Sequence, residues 1–160
     1  MTENEFTGAV TRNSQRLFLI ALSFTHDRTD AEDVLQTVFL KLWQEKKPFE
    51  NAEHIDKWLT RVTVNSCKNL LKTAVFKRHR PLEEAESLYT FDCPEDRELF
   101  LAVMQLPKKQ STVIHLFYYE DLSVKEIAAT LRIKESSVKT RLCRGRMKLK
   151  ELLGEEWRDE

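Results

Sequence analysis

The chain has 160 residues, 41% of them hydrophobic, and its 26 Lys and Arg are balanced by 26 Asp and Glu. That length supports one ordinary domain or two small ones around a real core, and excludes a disordered chain. Three Gly and four Pro, in a chain rich in Leu, Lys, Glu, Ala and Arg, exclude a turn-rich β protein and predict an all-α fold.

The first predicted helix runs from Glu3 to about Thr25, apolar at Phe6, Val10, Leu17, Ile20, Ala21 and Phe24, and ends at the polar run from His26 to Asp30. Asp30 is expected to cap the second, AEDVLQTVFLKLWQ, whose Val34, Leu35, Val38, Phe39, Leu42 and Trp43 recur at helical spacing, with acidic residues in the first turn where the macrodipole favours them. Lys47-Pro48 stops it. Phe49 to His54 reads as a loop, and Asp56 or a near neighbour opens a third helix to roughly Lys77, short of Pro81.

An acidic stretch follows. Pro94 starts a helix to about Gln105, Leu106-Pro107 turns the chain, and Lys109 to Tyr119 forms another. Ser123 with Glu126 three residues on is a capping-box pattern opening the short helix VKEIAATL, which buries Ile127, Ala128 and Leu131. After a tight break, Val138, Leu142, Leu149, Leu152 and Leu153 fall within about 100° of arc on a last helix, at about 100° per residue. The prediction is two small helical domains, 1–78 and 94–155, joined by an acidic flexible linker at 79–93. The second is a four-helix domain with a helix-turn-helix.

Charge is segregated along this plan. From Lys57 to Arg80 there are seven basic residues and no acidic one; from Pro81 to Phe100 seven acidic residues face only Arg97; from Arg132 to Lys150 eight basic residues face only Glu135. On the last helix Ser136, Lys139, Thr140, Cys143, Arg144 and Met147 share an outer face, flanked by Arg141 and Arg146. On the third, Arg61, Lys68 and Lys72 lie within about 60° of Lys57, with Asn65 at the edge and Leu59, Val62, Ser66 and Leu70 opposite. Two cationic helix faces suit a polyanion: a helix fits the DNA major groove, where Arg and Lys chelate guanine or neutralise phosphate. A solvated basic surface is the plain alternative. Trp58 reads either as a core anchor or, with Phe49, Asn51 and His54, as a surface for an unpaired base.

Other classes find no support. Cys67, Cys93 and Cys143 match neither a disulfide framework nor a zinc pattern, and the four His form no HExxH. No metal, cofactor or catalytic constellation is expected. No apolar run nears the ~18 residues of a membrane span and MTENEFTGAV has no basic-then-apolar leader, which predicts a cytosolic protein without membrane insertion.

THDRTDAEDVLQTVFLKLWQ, FENAEHIDKWLTRVTVNSCKNLL and LPKKQSTVIHLFYYEDLSVKEIAATLRIKESSVKTRLCRGRMKLKELL resemble, in this order and spacing, the polymerase-binding, −10-reading and −35-reading segments of the extracytoplasmic-function sigma factors of bacterial RNA polymerase, members of the sigma-70 family. The resemblance implies a factor, not an enzyme, that binds core RNA polymerase, guides it to double-stranded promoter DNA at −35 and −10, and helps hold the melted −10 strand. It also implies an anti-sigma factor as partner.

By the same resemblance Asp33 and Gln36 face the polymerase clamp helices. Phe49, Asn51 and His54 form the loop that receives an extruded base, with Asn65 and the cations Lys57, Arg61, Lys68 and Lys72 along the −10 helix. Ser137, Lys139, Thr140, Cys143 and Arg144 occupy recognition positions, and Arg141 and Arg146 bind phosphate or support the turn. A stand-alone helix-turn-helix regulator would explain only the C-terminal third. Three residues depart from the family pattern: Arg132 stands where Gly is common in the turn, Lys134 where a capping Ser is common, and Gly145 where Ala is usual. A left-handed Arg132 would cost ~1 kcal/mol, and Gly145 in mid-helix about as much, predicting local softness.

Overall fold

The computed structural model describes residues 1–73 and 94–154, and every regular element among them is a helix. The expected linker at 79–93, Cys93, and the expected end of the third helix near Lys77 lie outside the described residues. The chain divides into two units on either side of the Arg80–Pro81 boundary. No helix among the described residues is long and apolar enough to cross a membrane.

The first unit holds α1 (Glu3–Thr25), α2 (Arg28–Gln44) and α3 (Ala52–Thr73), each packed on the other two. Thr2 and Glu5 form a capping box at the start of α1, satisfying two donors that the helix itself cannot. α1 ends at His26, whose backbone turns left-handed and donates its N–H to the Leu22 carbonyl. Asp27, not Asp30, caps α2: its side chain accepts from the Asp30 N–H at 2.9 Å. Both acids have a donor within reach of a first turn, and the abrupt end of α1 brings the start forward by a turn. α3 likewise begins before Asp56. Asn51 Oδ1 accepts from the His54 N–H at 2.8 Å, and Asp56 sits one turn inside the helix.

Leu17, Ile20, Ala21, Leu22 and Phe24 of α1 meet Val34, Val38 and Leu42 of α2 and Leu59, Val64 and Cys67 of α3 in the core. The buried face of α3 differs from the expected one. Thr63, Val64 and Cys67 join Leu59 and Ser66 inside, while Val62 and Leu70 are only half-buried. Small side chains fill the space here, and hydropathy does not distinguish a Thr that packs from one that faces water. Burial raises the Cys67 thiol to about 12, which removes it from thiolate chemistry.

A polar seam pins α1 to α3. The Arg12 guanidinium grips Asp56 through Nε and Nη2, the buried Asn13 amide donates to Asp56 Oδ1 at 2.9 Å, and Arg16 reaches Thr60 Oγ1 at 2.7 Å. Partial burial pushes the Asp56 carboxyl up, and the hydrogen bonds and charge of Arg12 with the amide of Asn13 more than offset this, leaving it below the usual aspartate range.

The second unit holds α4 (Pro94–Met104), α5 (Lys108–Tyr118), α6 (Val124–Leu131) and α7 (Glu135–Leu153), with α7 packed on all three others. Its core comprises Phe100, Val103, Met104 and Leu106, then Val113, Ile114 and Leu116, then Ile127 and Leu131, and Val138, Leu142 and Leu149. The Ser123–Glu126 capping box opens α6 as expected. Arg132 is left-handed at φ 57° and ψ 48°, and its N–H and that of Ile133 both reach the Ala128 carbonyl. The tight turn therefore keeps its geometry and the arginine bears the ~1 kcal/mol strain.

The buried stripe of α7 is Val138, Leu142, Gly145 and Leu149. Leu152, expected in it, is 42% exposed on the last turn, and Leu153 is half-buried. Gly145 is buried, and a Cβ there would lie 2.8 Å from Ile114 Cγ1, so its bareness lets α5 and α7 approach closely.

Candidate nucleic-acid interface

On α7 the turn ends at Lys134, which occupies the cap position without a side-chain hydrogen bond. Lys139, Thr140, Cys143 and Arg144 are exposed; Ser137 and Arg141 are half-buried beside them. The Thr140 hydroxyl donates to the Ser136 carbonyl at 3.0 Å, which commits its proton and leaves its oxygen as an acceptor.

Arg146 has a different setting from Arg144. Its Nε donates to Tyr118 Oη at 2.7 Å and its guanidinium lies 5.4 Å from the centre of the Phe117 ring and 5.7 Å from that of Tyr118. It braces α7 on the end of α5.

A groove of about 620 Å³ runs between the start of α5 and the outer side of α7, with Lys108 and Lys109 on one rim and Thr140, Arg141 and Arg144 on the other. α5 begins there without a side-chain cap, so unsatisfied N–H groups and the positive end of the helix dipole add to four cationic side chains. Lys108 and Lys109 were not singled out from the sequence. The signal is present in LPKKQ, two cations directly after a proline that starts a helix, but only the fold brings them opposite Arg141 and Arg144.

In the first unit Lys57, Arg61 and Lys72 are exposed on α3, and Asn65 and Lys68 are half-buried along the same side. Lys57 pairs with Glu53 at 3.0 Å, with both side chains about three-quarters exposed, a pair that water screens heavily. Phe49 lies edge-on to both His54 and Trp58, with ring centres 5.2 and 5.5 Å apart. Asn51 and His54 shape this loop from within: Asn51 caps α3, and His54 Nδ1 accepts from the Glu50 N–H at 3.1 Å. That bond assigns the His54 proton to Nε2 in the neutral ring. Trp58 is half-buried, so one part of its ring packs and another remains accessible.

Asp33 and Gln36 are both exposed on α2. Two large apolar residues extend their side of the helix within about 80° of arc: Leu40, 56% exposed, and Trp43, 52% exposed. Trp43 was expected in the core. Instead it stands at the surface, with the Phe6 ring of α1 edge-on at 5.0 Å, while the buried side of α2 is formed by Asp30, Ala31, Val34, Val38 and Leu42. Among the described residues no group of His, Cys, Asp and Glu could hold a metal ion.

The family described as Sigma-70 region 2 matches residues 9–76, and that described as Sigma-70, region 4 matches residues 96–149. RNA polymerase sigma factor SigV of Bacillus subtilis is 29% identical over 137 residues, covering 84% of this chain and 82% of its own. ECF RNA polymerase sigma factor SigM of Mycobacterium tuberculosis is 27% identical over 145 residues, covering 89% of this chain and 74% of its own. Among solved structures, the sigma factor RpoE of Bartonella quintana, crystallised with the anti-sigma factor NepR, superposes with a TM-score of 0.68 over 96% of this chain and 99% of its own, at 20% identity; that likeness is one of fold. With both regions matched in order on two helical units, the chain belongs to the sigma-70 family, among the extracytoplasmic-function sigma factors.

Proposed function

We propose that this sigma factor binds core RNA polymerase through the Asp33 and Gln36 face of α2, directs it to paired −35 and −10 promoter elements, and helps melt the −10 duplex. The observation that carries this reading is the pair of cationic faces, on α3 and α7, each on a separate unit and each backed by its own core. In this reading residues 1–78 form the polymerase-binding and −10 unit, 79–93 the connection, and 94–155 the −35 unit.

α7 lies in the major groove, with Ser137, Lys139, Thr140, Cys143 and Arg144 toward the bases. The groove beside it follows the phosphate backbone. Lys57, Arg61, Asn65, Lys68 and Lys72 track the −10 strand, and the aromatic group of Phe49, His54 and Trp58 offers a stacking surface to a base drawn out of the duplex. Extraction costs a few kcal/mol, and stacking at about 1–3 kcal/mol per base is of the size needed to offset it. The His54 Nε2–H is available as a donor to that base.

The factor performs no catalysis of its own and acts where polymerase and chromosome meet, in the cytoplasm. As with the Bartonella quintana relative solved with NepR, an anti-sigma factor is its regulatory partner. The test is transcription by core polymerase reconstituted with this chain, with sequencing of the RNA 5′ ends. Discrete start sites sharing upstream elements at −35 and −10 are expected, and starts identical to those of core polymerase alone would refute the proposal.

A further inference from the structure

Gly145 is buried on α7, and a Cβ at this position would come within 2.8 Å of Ile114 Cγ1, 3.1 Å of Ile114 Cδ1 and 3.7 Å of Gln110 Cβ. Ile114 is itself buried in the core of α5. Its γ carbon sits too near the backbone to swing aside freely, so an added methyl must shift one helix against the other. Gln110 contributes to the lining of the groove and also touches position 145. The glycine therefore packs beside a residue that lines the groove. One rim of that groove belongs to α5, through Lys108 and Lys109, and the other to α7, through Arg141 and Arg144; these arginines lie one turn and one residue before Gly145.

We propose that Gly145 is a positioning residue for DNA binding. By letting α7 seat against Ile114, it sets the width of the groove so that both cationic rims contact one phosphodiester backbone at once. This rests on reading α7 as the −35 helix. The distance between rims follows from the helix separation, and phosphates recur along a strand at a fixed spacing. A displaced α7 would then leave one rim without its phosphate while the cations themselves remain unchanged.

The test is a cycle in the 160-residue chain, with wild type, Gly145→Ala, Ile114→Ala and the paired variant titrated against a random-sequence duplex at several low salt concentrations. Phosphate contacts do not depend on sequence and appear directly in the salt slope. Gly145→Ala is expected to lower affinity about tenfold and to reduce the salt slope by about one. In the Ile114→Ala background, where the obstructing carbons are gone, the same substitution should change neither quantity. A structural role alone would alter folding without this slope change, and if Gly145→Ala fails to fold, the paired variant still has to match Ile114→Ala. Equal affinity and slope for wild type and Gly145→Ala, or an equal loss in both backgrounds, overturns the role of Gly145. Wild type that binds no duplex at low salt would overturn the DNA reading of the unit itself.

Discussion

Arg144 and Arg146 stand two residues apart in one basic helix, yet their replacements should fail in different assays. Arg146→Ala removes a 2.7 Å charged hydrogen bond to the Tyr118 phenol and a guanidinium stacked near two aromatic rings. A hydrogen bond to a charged partner contributes about 1.5–3 kcal/mol and a partly shielded cation–π contact about 0.5–1 kcal/mol. Half-burial and the loosening of the exposed stem place the net loss nearer the low end, about 2 kcal/mol. For a unit of this size that corresponds to a fall in Tm of roughly 8 °C or more. Tyr118→Phe keeps the ring and removes only the acceptor, so about 1 kcal/mol is expected, and the two losses should be less than additive when combined. Arg144→Ala, at an exposed position, should leave Tm within about a degree and weaken promoter binding by ~1–3 kcal/mol with relaxed base preference. Thermal unfolding by circular dichroism and fluorescence anisotropy on the same preparations would separate the two. If Arg146→Ala melts with wild type and loses DNA affinity instead, Arg146 is a DNA ligand and not a brace.

Three further outcomes are expected. Burial holds His115 neutral, lowering it from 6.5 to about 3, so the unfolded chain binds the extra proton between those values and stability declines as pH falls below 6.5; urea unfolding should show the second unit about 2 kcal/mol weaker at pH 5 than at pH 7. His115→Phe should flatten that dependence, and an unchanged slope would show that another group causes it. Cys143 is exposed and Cys67 buried, so in a Cys93→Ser variant a maleimide should label Cys143 in the native chain and Cys67 only in denaturant, with promoter complexes protecting Cys143; labelling at equal rates with and without DNA would remove Cys143 from the interface. Asp33→Lys combined with Gln36→Ala should reduce affinity for core polymerase by about tenfold while leaving duplex binding by the second unit unchanged, and undiminished affinity would remove α2 as the binding face.

What could be read in the sequence was what depends on near neighbours along the chain. The Ser123–Glu126 capping box, the break at Lys47-Pro48 and the outer face of α7 each follow from residues within a turn or two of one another, and each is found in the fold. The misreadings of the core share the opposite property. Thr63 and Cys67 are buried because α1 and α2 cover that side of α3, whereas Trp43, edge-on to Phe6, stays 52% exposed; no periodicity on one helix reports how wide its neighbour's cover is.

The tract from Arg144 to Arg146 carries the same point into function. At about 100° per residue three successive side chains must point in three directions: Arg144 out to the groove, Gly145 into Ile114, Arg146 toward Tyr118. Read as composition, the three residues are two positive charges and a weak helix position. In the fold they are an exposed cation on the groove, a packing contact and a brace, and the last two hold the helix that presents the first. A basic helix therefore does not reveal by its charge alone how many of its cations meet DNA. The residue that costs the isolated helix about 1 kcal/mol is the one that seats it against α5, so local helix propensity and the tertiary site are in conflict at position 145. Such a conflict is what a positioning role would require.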